Sequence, residues 1–159
     1  MIDVVFDSGV NHAEFPATAD IERAVCAACE EAGFSGQAEL CVRFATDEDI
    51  QALNKQWRDL DKVTDVLSFP MQEDPNYDLN MSLGDIALAA RFIRQQASSL
   101  DLPVRAHVLH LIIHAVLHLL GFDHVKNEDA IIMQQLEQRI MQHLGLHDPY
   151  PNHSTVEQS

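Results

Sequence analysis

The chain has 159 residues, of which 47% are hydrophobic, so it is long enough for one ordinary domain with a buried core. Its formal net charge is −15, with 25 acidic and 10 basic residues, which argues against a nucleic-acid-binding protein with a generally basic surface. The N-terminus has neither the basic start nor the long apolar run of an export signal or a membrane anchor. We expect a single domain over residues 1–147, followed by a flexible tail at 148–159 that is mostly polar and contains proline.

The predicted secondary structure mixes strands and helices without regular alternation. Strands are indicated by alternating apolar and polar residues, and helices by N-terminal caps and apolar stripes. In chain order the predicted elements are a strand at 4–6, a helix capped by Thr18, a strand at 38–44, a helix capped by Thr46, a strand at 65–69, an acidic surface loop at 72–80, a strand at 84–88, and helices at about 90–98, about 103–120 and 127–144. This order predicts the α+β class, with a small mixed β-sheet packed against several helices.

The predicted helix at 103–120 is the central element of this fold. It is apolar on nearly every side, which is typical of a buried helix. Pro103 suits its first turn, and Gly121 suits the left-handed residue that commonly ends a helix. The same helix carries His110, His114 and His118. We therefore expect a central buried helix that presents metal ligands.

The histidines of this segment have the spacing of a metal site. His114 and His118 are four residues apart, so they project from the same helix face and can converge on one ion. The turn at Gly121 allows His124 to supply a third ligand. Three protein ligands with a fourth position left for water are typical of catalytic zinc sites. We predict one Zn²⁺ ion bound by His114, His118 and His124. His110 is two turns from His118, too far for both to share the ion.

Other interpretations of the histidines remain open. The chain contains 9 histidines, so a pair four residues apart can arise by chance on a packed or solvated helix face. Zinc proteases of the metzincin kind place a Glu directly after the first His as the general base. Ala115 occupies that position here and cannot accept a proton, which disfavours peptide hydrolysis by that route. His107, His143 and His147 are predicted to carry no functional weight.

The pattern His-x-x-x-His-x-x-Gly-x-Asp-His, without the Glu, resembles the YbeY family of endoribonucleases, which are bacterial rRNA maturation factors. The resemblance extends over residues 38–148. Three further segments carry it in the same order: Leu53-Asn54 with Arg58, the run Thr64-Asp65-Val66-Leu67-Ser68-Phe69-Pro70, and Leu83-Gly84-Asp85-Ile86. Two positions depart from the family, which usually has Gly where Ala115 stands and often Tyr where Phe122 stands.

The resemblance implies a zinc-dependent endoribonuclease that is specific for single strands. It implies action on rRNA precursor at the 3′ end of 16S rRNA, a part in ribosome quality control, and ribosomal partners, but neither DNA nor a membrane. Cleavage of a phosphodiester builds up negative charge that an Arg can stabilise. The resemblance assigns this role to Arg58, so Arg58 and His114 are the predicted catalytic residues. Pairing of Arg58 with Asp59 or Asp61 on the surface is the alternative.

The sequence leaves two other functional classes open. The first is a zinc hydrolase of peptides or small molecules, which the net acidity favours and Ala115 opposes. The second is a non-enzymatic ribosome assembly factor with a structural metal, although such sites normally have four protein ligands.

The cysteines indicate the compartment. Three cysteines cannot all pair with one another, and Cys26 and Cys29 lie in an alanine-rich helical pattern without a second pair to form a zinc knuckle. We interpret the three as reduced thiols. Reduced thiols are typical of the cytoplasm, where we expect the protein to act.

Overall fold

A computed structural model describes residues 2–34, 39–70, 83–123 and 126–151. Within these ranges the chain forms four strands and five α-helices, together with a short 3₁₀ turn at His12–Glu14. In chain order they are β1 (Ile2–Phe6), α1 (Thr18–Glu31), β2 (Leu40–Ala45), α2 (Asp47–Arg58), β3 (Val66–Pro70), β4 (Gly84–Ala89), α3 (Ala90–Ser99), α4 (Val104–Leu119) and α5 (Asn127–His143). The predicted α+β class is confirmed. The predicted loop at 72–80 lies outside the described residues.

The four strands form one mixed sheet in the order β1-β2-β4-β3. β1 and β2 are parallel, β2 and β4 are parallel, and β3 pairs antiparallel with β4 at one edge. Alternate residues of β4 face opposite sides of the sheet, as the period of two requires. Ile86 and Leu88 belong to the main core, whereas Ala87 and Ala89 belong to a smaller cluster with Ile50 of α2. The sheet therefore separates α2 from the main core.

The helix starts agree with the predictions except at α1. Thr46 Oγ1 accepts a hydrogen bond from Asp49 N–H at 3.2 Å, so the predicted cap of α2 is confirmed. The predicted cap at Thr18 is wrong, because Thr18 is itself the first helical residue. Ala17 precedes it in extended conformation, makes no side-chain cap, and accepts from Asp20 N–H through its carbonyl. A backbone carbonyl thus starts α1 without a capping side chain.

Helix α4 is the central element of the fold, as predicted. It packs against α1, α3 and α5 and against strand β3. Ile112, Ile113 and Val116 are fully buried in the main core. Within the described residues no single helix is both long and apolar enough to cross a membrane; α3 and α4 pass that test only as a pair, and they meet at a bend of 114°.

The first residues of the predicted tail are packed against α5. Asp148 Oδ1 accepts a hydrogen bond from Gln138 Nε2 at 3.1 Å and from Tyr150 N–H at 2.8 Å. The Tyr150 hydroxyl donates to Glu137 Oε1 at 2.9 Å. Residues 152–159 lie outside the described part of the chain. The domain boundary at residue 147 stays a prediction, but these contacts favour including residues 148–150 in the domain.

Gly84 is required where β4 begins beside β3. Its φ is +145°, a conformation that side-chain-bearing residues rarely adopt. A Cβ at this position would collide with the Phe69 carbonyl oxygen and would lie 3.0 Å from Pro70 Cα. The strand pair β3–β4 therefore comes together only with glycine here.

We predict that Gly84→Ala lowers the free energy of unfolding by more than the about 1–3 kcal/mol of backbone strain alone, because the new methyl group meets backbone atoms. Gly9→Ala is the matched control, since Gly9 also has a positive φ, +91°, but nothing within 4 Å of its added Cβ. Urea denaturation measures both variants. An equal decrease in the free energy of unfolding of the two variants would show that the contact with Phe69 does not destabilise Gly84→Ala.

Candidate metal centre

One face of α4 borders a pocket of about 350 Å³. His110, His114 and His118 lie along this face, and Arg58, at the end of α2, lines the same pocket. The remaining lining residues come from β3 and the residue before it, from α4 and from the C-terminal segment: Asp65, Val66, Ser68, His107, Leu111, Ala115 and Tyr150. The pocket thus brings together the two predicted catalytic residues and two of the three predicted metal ligands.

The imidazoles of His114 and His118 face one another through their Nε2 atoms, which are 3.1 Å apart. Their ring centroids are 4.6 Å apart and the rings are nearly perpendicular, at 82°. Two nitrogen ligands at about 2.0–2.1 Å from a tetrahedral zinc ion are roughly 3.3 Å from each other. The pair therefore fits two corners of such a site with almost no change in side-chain position.

The turn after α4 takes the form that the sequence predicts. Gly121 has φ +103° and donates its N–H to the His118 carbonyl at 3.0 Å. Phe122 N–H donates to the Leu117 carbonyl at 3.0 Å, which completes the paired hydrogen bonds of a Schellman motif. The chain is thus turned sharply just before the predicted third ligand.

The third ligand of the predicted set, His124, lies outside the described residues. Within the described ranges no three His, Cys, Asp or Glu side chains are placed to hold one ion. The described part of the site therefore contributes the pair His114 and His118, and completion of the tripod by His124 stays a prediction.

Glu137 of α5 is a functional candidate that the sequence patterns missed. Its side chain is fully buried, and its Oε1 atom contacts His110 Nε2 at 2.7 Å and His114 Nδ1 at 3.2 Å. The same oxygen accepts the hydroxyl of Tyr150. One buried carboxylate oxygen therefore binds two histidines of α4 and the C-terminal segment.

The environment of Glu137 keeps it ionised. Burial by itself would raise the pKa of Glu137, but the hydrogen bonds from His110 and His114 outweigh burial and lower this pKa to about 2. An ionised carboxylate only accepts hydrogen bonds, so His114 carries its hydrogen on Nδ1. The lone pair of a neutral His114 ring is then on Nε2, the atom that faces His118. A carboxylate that orients a ligating histidine through its other nitrogen is the usual arrangement around protein-bound zinc.

Two of the histidines predicted to have no functional weight are part of this environment. His107 is buried, and its Nε2 lies 2.6 Å from Gln96 Oε1 of α3. Burial, followed by the proximity of His110, lowers the pKa of His107. His147 lies beside His110, with ring centroids 6.5 Å apart. His143 is exposed. These contacts join residues that are distant in sequence, and the absence of a functional role for the three histidines stays a prediction.

Arg58 is held at the pocket without an acidic partner among the described residues. Its Nη2 lies 3.5 Å from the Ser68 carbonyl oxygen, a long contact. Asp61, one of the two partners considered from sequence, lies instead 3.9 Å from Lys55 and accepts from Gln51. The positive charge of Arg58 is therefore not neutralised by a neighbouring carboxylate in the described structure.

The end of α2 that places Arg58 is built by two further residues. Asp59 takes the left-handed conformation, with φ 59°, and ends the helix. Asn54 is buried, and its Nδ2 donates to the Lys62 carbonyl at 3.0 Å. Because this amide fixes the loop after the helix, Asn54 explains why a Leu-Asn pair accompanies Arg58 in the motif.

Comparison with known proteins gives relatives over most of the chain. The family model described as endoribonuclease YbeY matches residues 7–145. A relative from Sinorhizobium medicae, described as endoribonuclease YbeY, is 45% identical over 114 residues, which cover 71% of this chain and 68% of the relative. A relative of the same description from Bradyrhizobium diazoefficiens is 42% identical over 135 residues, covering 82% and 74%. The solution structure of a Thermotoga maritima protein shares the fold, with a TM-score of 0.57 at 22% identity over 94% of this chain and 98% of that one.

We predict that Glu137→Gln weakens divalent metal binding about 10- to 100-fold, the usual effect of removing a carboxylate that orients a ligand. The amide keeps the shape of the side chain but lacks the charge that holds the hydrogen on His114 Nδ1. Competition with a chromogenic chelator measures the affinity. Glu128→Gln, an exposed position on the same helix, is the control. Unchanged affinity in Glu137→Gln would exclude an orienting role.

A second prediction concerns Tyr150. Relative to a chain that ends after Pro151, one that ends after His147 should lose at least about 1.5–3 kcal/mol of unfolding free energy, the contribution of a hydrogen bond to a charged group. Tyr150→Phe isolates the hydroxyl contribution. Thermal unfolding compares the three forms. If the form ending after His147 is as stable as the form ending after Pro151, the contacts of residues 148–151 do not contribute to the domain.

Proposed function

The chain belongs to the endoribonuclease YbeY family, and we propose that it cleaves RNA single strands in the pocket between Arg58 and the pair His114 and His118. Family membership makes it a metal-dependent endoribonuclease of rRNA maturation. The observation that carries the site assignment is the convergence of an unneutralised guanidinium and two facing imidazoles on one pocket. Cleavage of a phosphodiester is favoured by a cation that binds the phosphoryl oxygens and by a site that activates the attacking group.

Each described side chain has a distinct task in this proposal. His114 and His118 would hold a divalent ion, for which Zn²⁺ is the proposed identity. When bound, such an ion lowers the pKa of a coordinated water to about 7 and polarises a phosphoryl oxygen. Glu137 keeps the His114 ring in the orientation and tautomer that ligation requires. Arg58 binds the phosphoryl oxygens and stabilises the negative charge that develops on them.

Peptide hydrolysis is the less favoured alternative. Ala115, at the position where zinc proteases carry their general base, is buried and lines the pocket with a methyl group. The carboxylate that lines the same pocket, Asp65, accepts from Val66 N–H at 2.7 Å and from Gln96 Nε2 at 3.3 Å. Its oxygens are therefore already engaged by the protein.

The cellular setting of the proposal follows from the family and from the thiols. We propose that the substrate is rRNA precursor at the 3′ end of 16S rRNA, that the protein acts on ribosomal particles in quality control, and that it works in the cytoplasm. Cys26, Cys29 and Cys41 are all free thiols, in keeping with a reducing compartment. Burial raises the pKa of Cys29 to about 11, so this thiol stays protonated at neutral pH.

We predict that Arg58→Ala lowers kcat/KM for RNA cleavage about 100- to 1,000-fold, the usual effect of removing one donor to a developing oxyanion. Metal content should stay unchanged, because Arg58 is not a ligand. Arg91→Ala removes the same charge at an exposed position without an ion pair among the described residues, and it should cleave normally. If Arg58→Ala retains full activity, the assignment of Arg58 is wrong.

The same assay tests whether RNA cleavage depends on a bound metal ion. His118→Ala and chelator-treated protein should both lose RNA cleavage, and casein should stay intact with every form. Casein cleavage that depends on His118 would instead favour the peptide hydrolase. The absence of both activities in metal-loaded wild-type protein would favour the assembly factor.

A further inference from the structure

A second, larger concavity of about 800 Å³ adjoins the histidine pocket. We call it the aromatic groove; its main lining residues are Leu53, Trp57, Arg58, Ser68, Phe69 and Pro70. Arg58 and Ser68 line both concavities, so the aromatic groove and the histidine pocket meet at Arg58. A ligand whose charged part is held at Arg58 can therefore extend into the groove.

Trp57 is the most unusual residue of the groove. It is 64% exposed, more than any other large hydrophobic side chain in the described structure. Its indole contacts Phe69 edge-on, with ring centroids 6.4 Å apart and an interplanar angle of 64°, which leaves most of the indole surface accessible. Exposed aromatic surface beside a functional pocket is characteristic of a ligand-binding site.

The charges around the groove favour a nucleobase over a phosphate as its occupant. Arg43, the other cation of the lining, is bound by Asp7 at 2.7 Å and by Asp49 at 3.1 Å. Asp85 is exposed along the same groove and would repel a phosphate. A carboxylate can, however, accept hydrogen bonds from the amino group of a base. The groove thus offers aromatic and apolar surface with an acceptor, and the guanidinium of Arg58, which has no carboxylate partner among the described residues, lies where the groove meets the histidine pocket.

We propose that the aromatic groove is a base-stacking subsite, in which Trp57 stacks on the unpaired base of a nucleotide whose phosphate contacts Arg58. The proposal rests on the proposed function and specifies how its substrate is bound. Aromatic side chains beside a cation are the usual means of binding single-stranded nucleic acid without reading its sequence. A base inside a duplex has both faces covered by its neighbours, so only an unpaired strand satisfies Trp57 and Arg58 together.

The chain supplies its own reporter for this contact, because Trp57 is the single Trp of the sequence. The probe is a short 2′-O-methyl oligoadenylate, which resists cleavage, and the reference is an abasic oligomer of equal length and charge. We expect the oligoadenylate to quench Trp57 emission on binding. The abasic oligomer and a duplex of the same sequence should leave the emission largely unchanged. Quenching of equal size by the abasic oligomer would overturn the proposal.

Substitution provides the second arm of the test. Trp57→Ala should weaken oligoadenylate binding, measured by fluorescence anisotropy of labelled probe, by about 5- to 150-fold, the loss expected for one stacked base. Trp57→Phe should retain most of the affinity. Binding of the abasic oligomer should be similar in all forms, since its phosphates still meet Arg58. Ile132→Ala, which removes a side chain 51% exposed on α5, is the control for lost apolar surface.

The outcomes separate this inference from the proposed function. RNA cleavage by the wild type, together with unchanged binding and KM in Trp57→Ala, would overturn the stacking subsite and leave the endoribonuclease intact. Failure of the wild type to cleave RNA would overturn the proposed function itself. A raised KM with kcat nearly unchanged in Trp57→Ala is the result expected for a residue that binds the base without touching the reacting phosphate.

Discussion

A single buried carboxylate oxygen joins α4, α5 and the C-terminal segment beside the histidine pocket. Glu137 Oε1, on α5, accepts from His110 and His114 of α4 and from Tyr150 of the C-terminal segment. A buried carboxylate that loses its donors is destabilised by several kcal/mol, so rotation of any of these side chains away from Glu137 is opposed. The interaction that packs α5 onto α4 is therefore also the interaction that orients His114 toward His118.

The net charge of −15 is compatible with an RNA substrate because an unpaired positive charge lies at the pocket itself. Two arginines form ion pairs with acids: Arg43 with Asp7 and Asp49, and Arg94 with Glu14. Arg58 has no such partner among the described residues, and it stands at the pocket. In the proposed mode of binding, RNA is held by this one cation and by base contacts rather than by a basic surface. Such binding is expected to weaken less steeply with salt than binding through many phosphate contacts.

Local patterns were sufficient for the framework but not for the partners of the site residues. Alternation and caps located the strands and the buried helix α4, and the spacing of His114 and His118 identified the facing pair. Glu137 was missed although a signal existed: it is a charged residue among the buried Met133, Leu136 and Ile140 of α5. Its partners lie 23 and 27 positions away, and no helical period links residues at that distance. Contacts of this kind follow from the packing of helices, not from the order of residues within one of them.

The end of α2 carries both Arg58, at the histidine pocket, and Trp57, in the aromatic groove. Consecutive residues of a helix point about 100° apart, so the side chains of Trp57 and Arg58 diverge although both line the aromatic groove. Arg58 approaches Ser68 and the histidine pocket, while Trp57 contacts Phe69 in the aromatic groove. The left-handed Asp59 ends the helix at this point. In the proposed mode of binding, a preference for unpaired RNA needs no separate recognition domain, because one helix terminus presents both a cation for the phosphate and a ring for a base whose faces are uncovered.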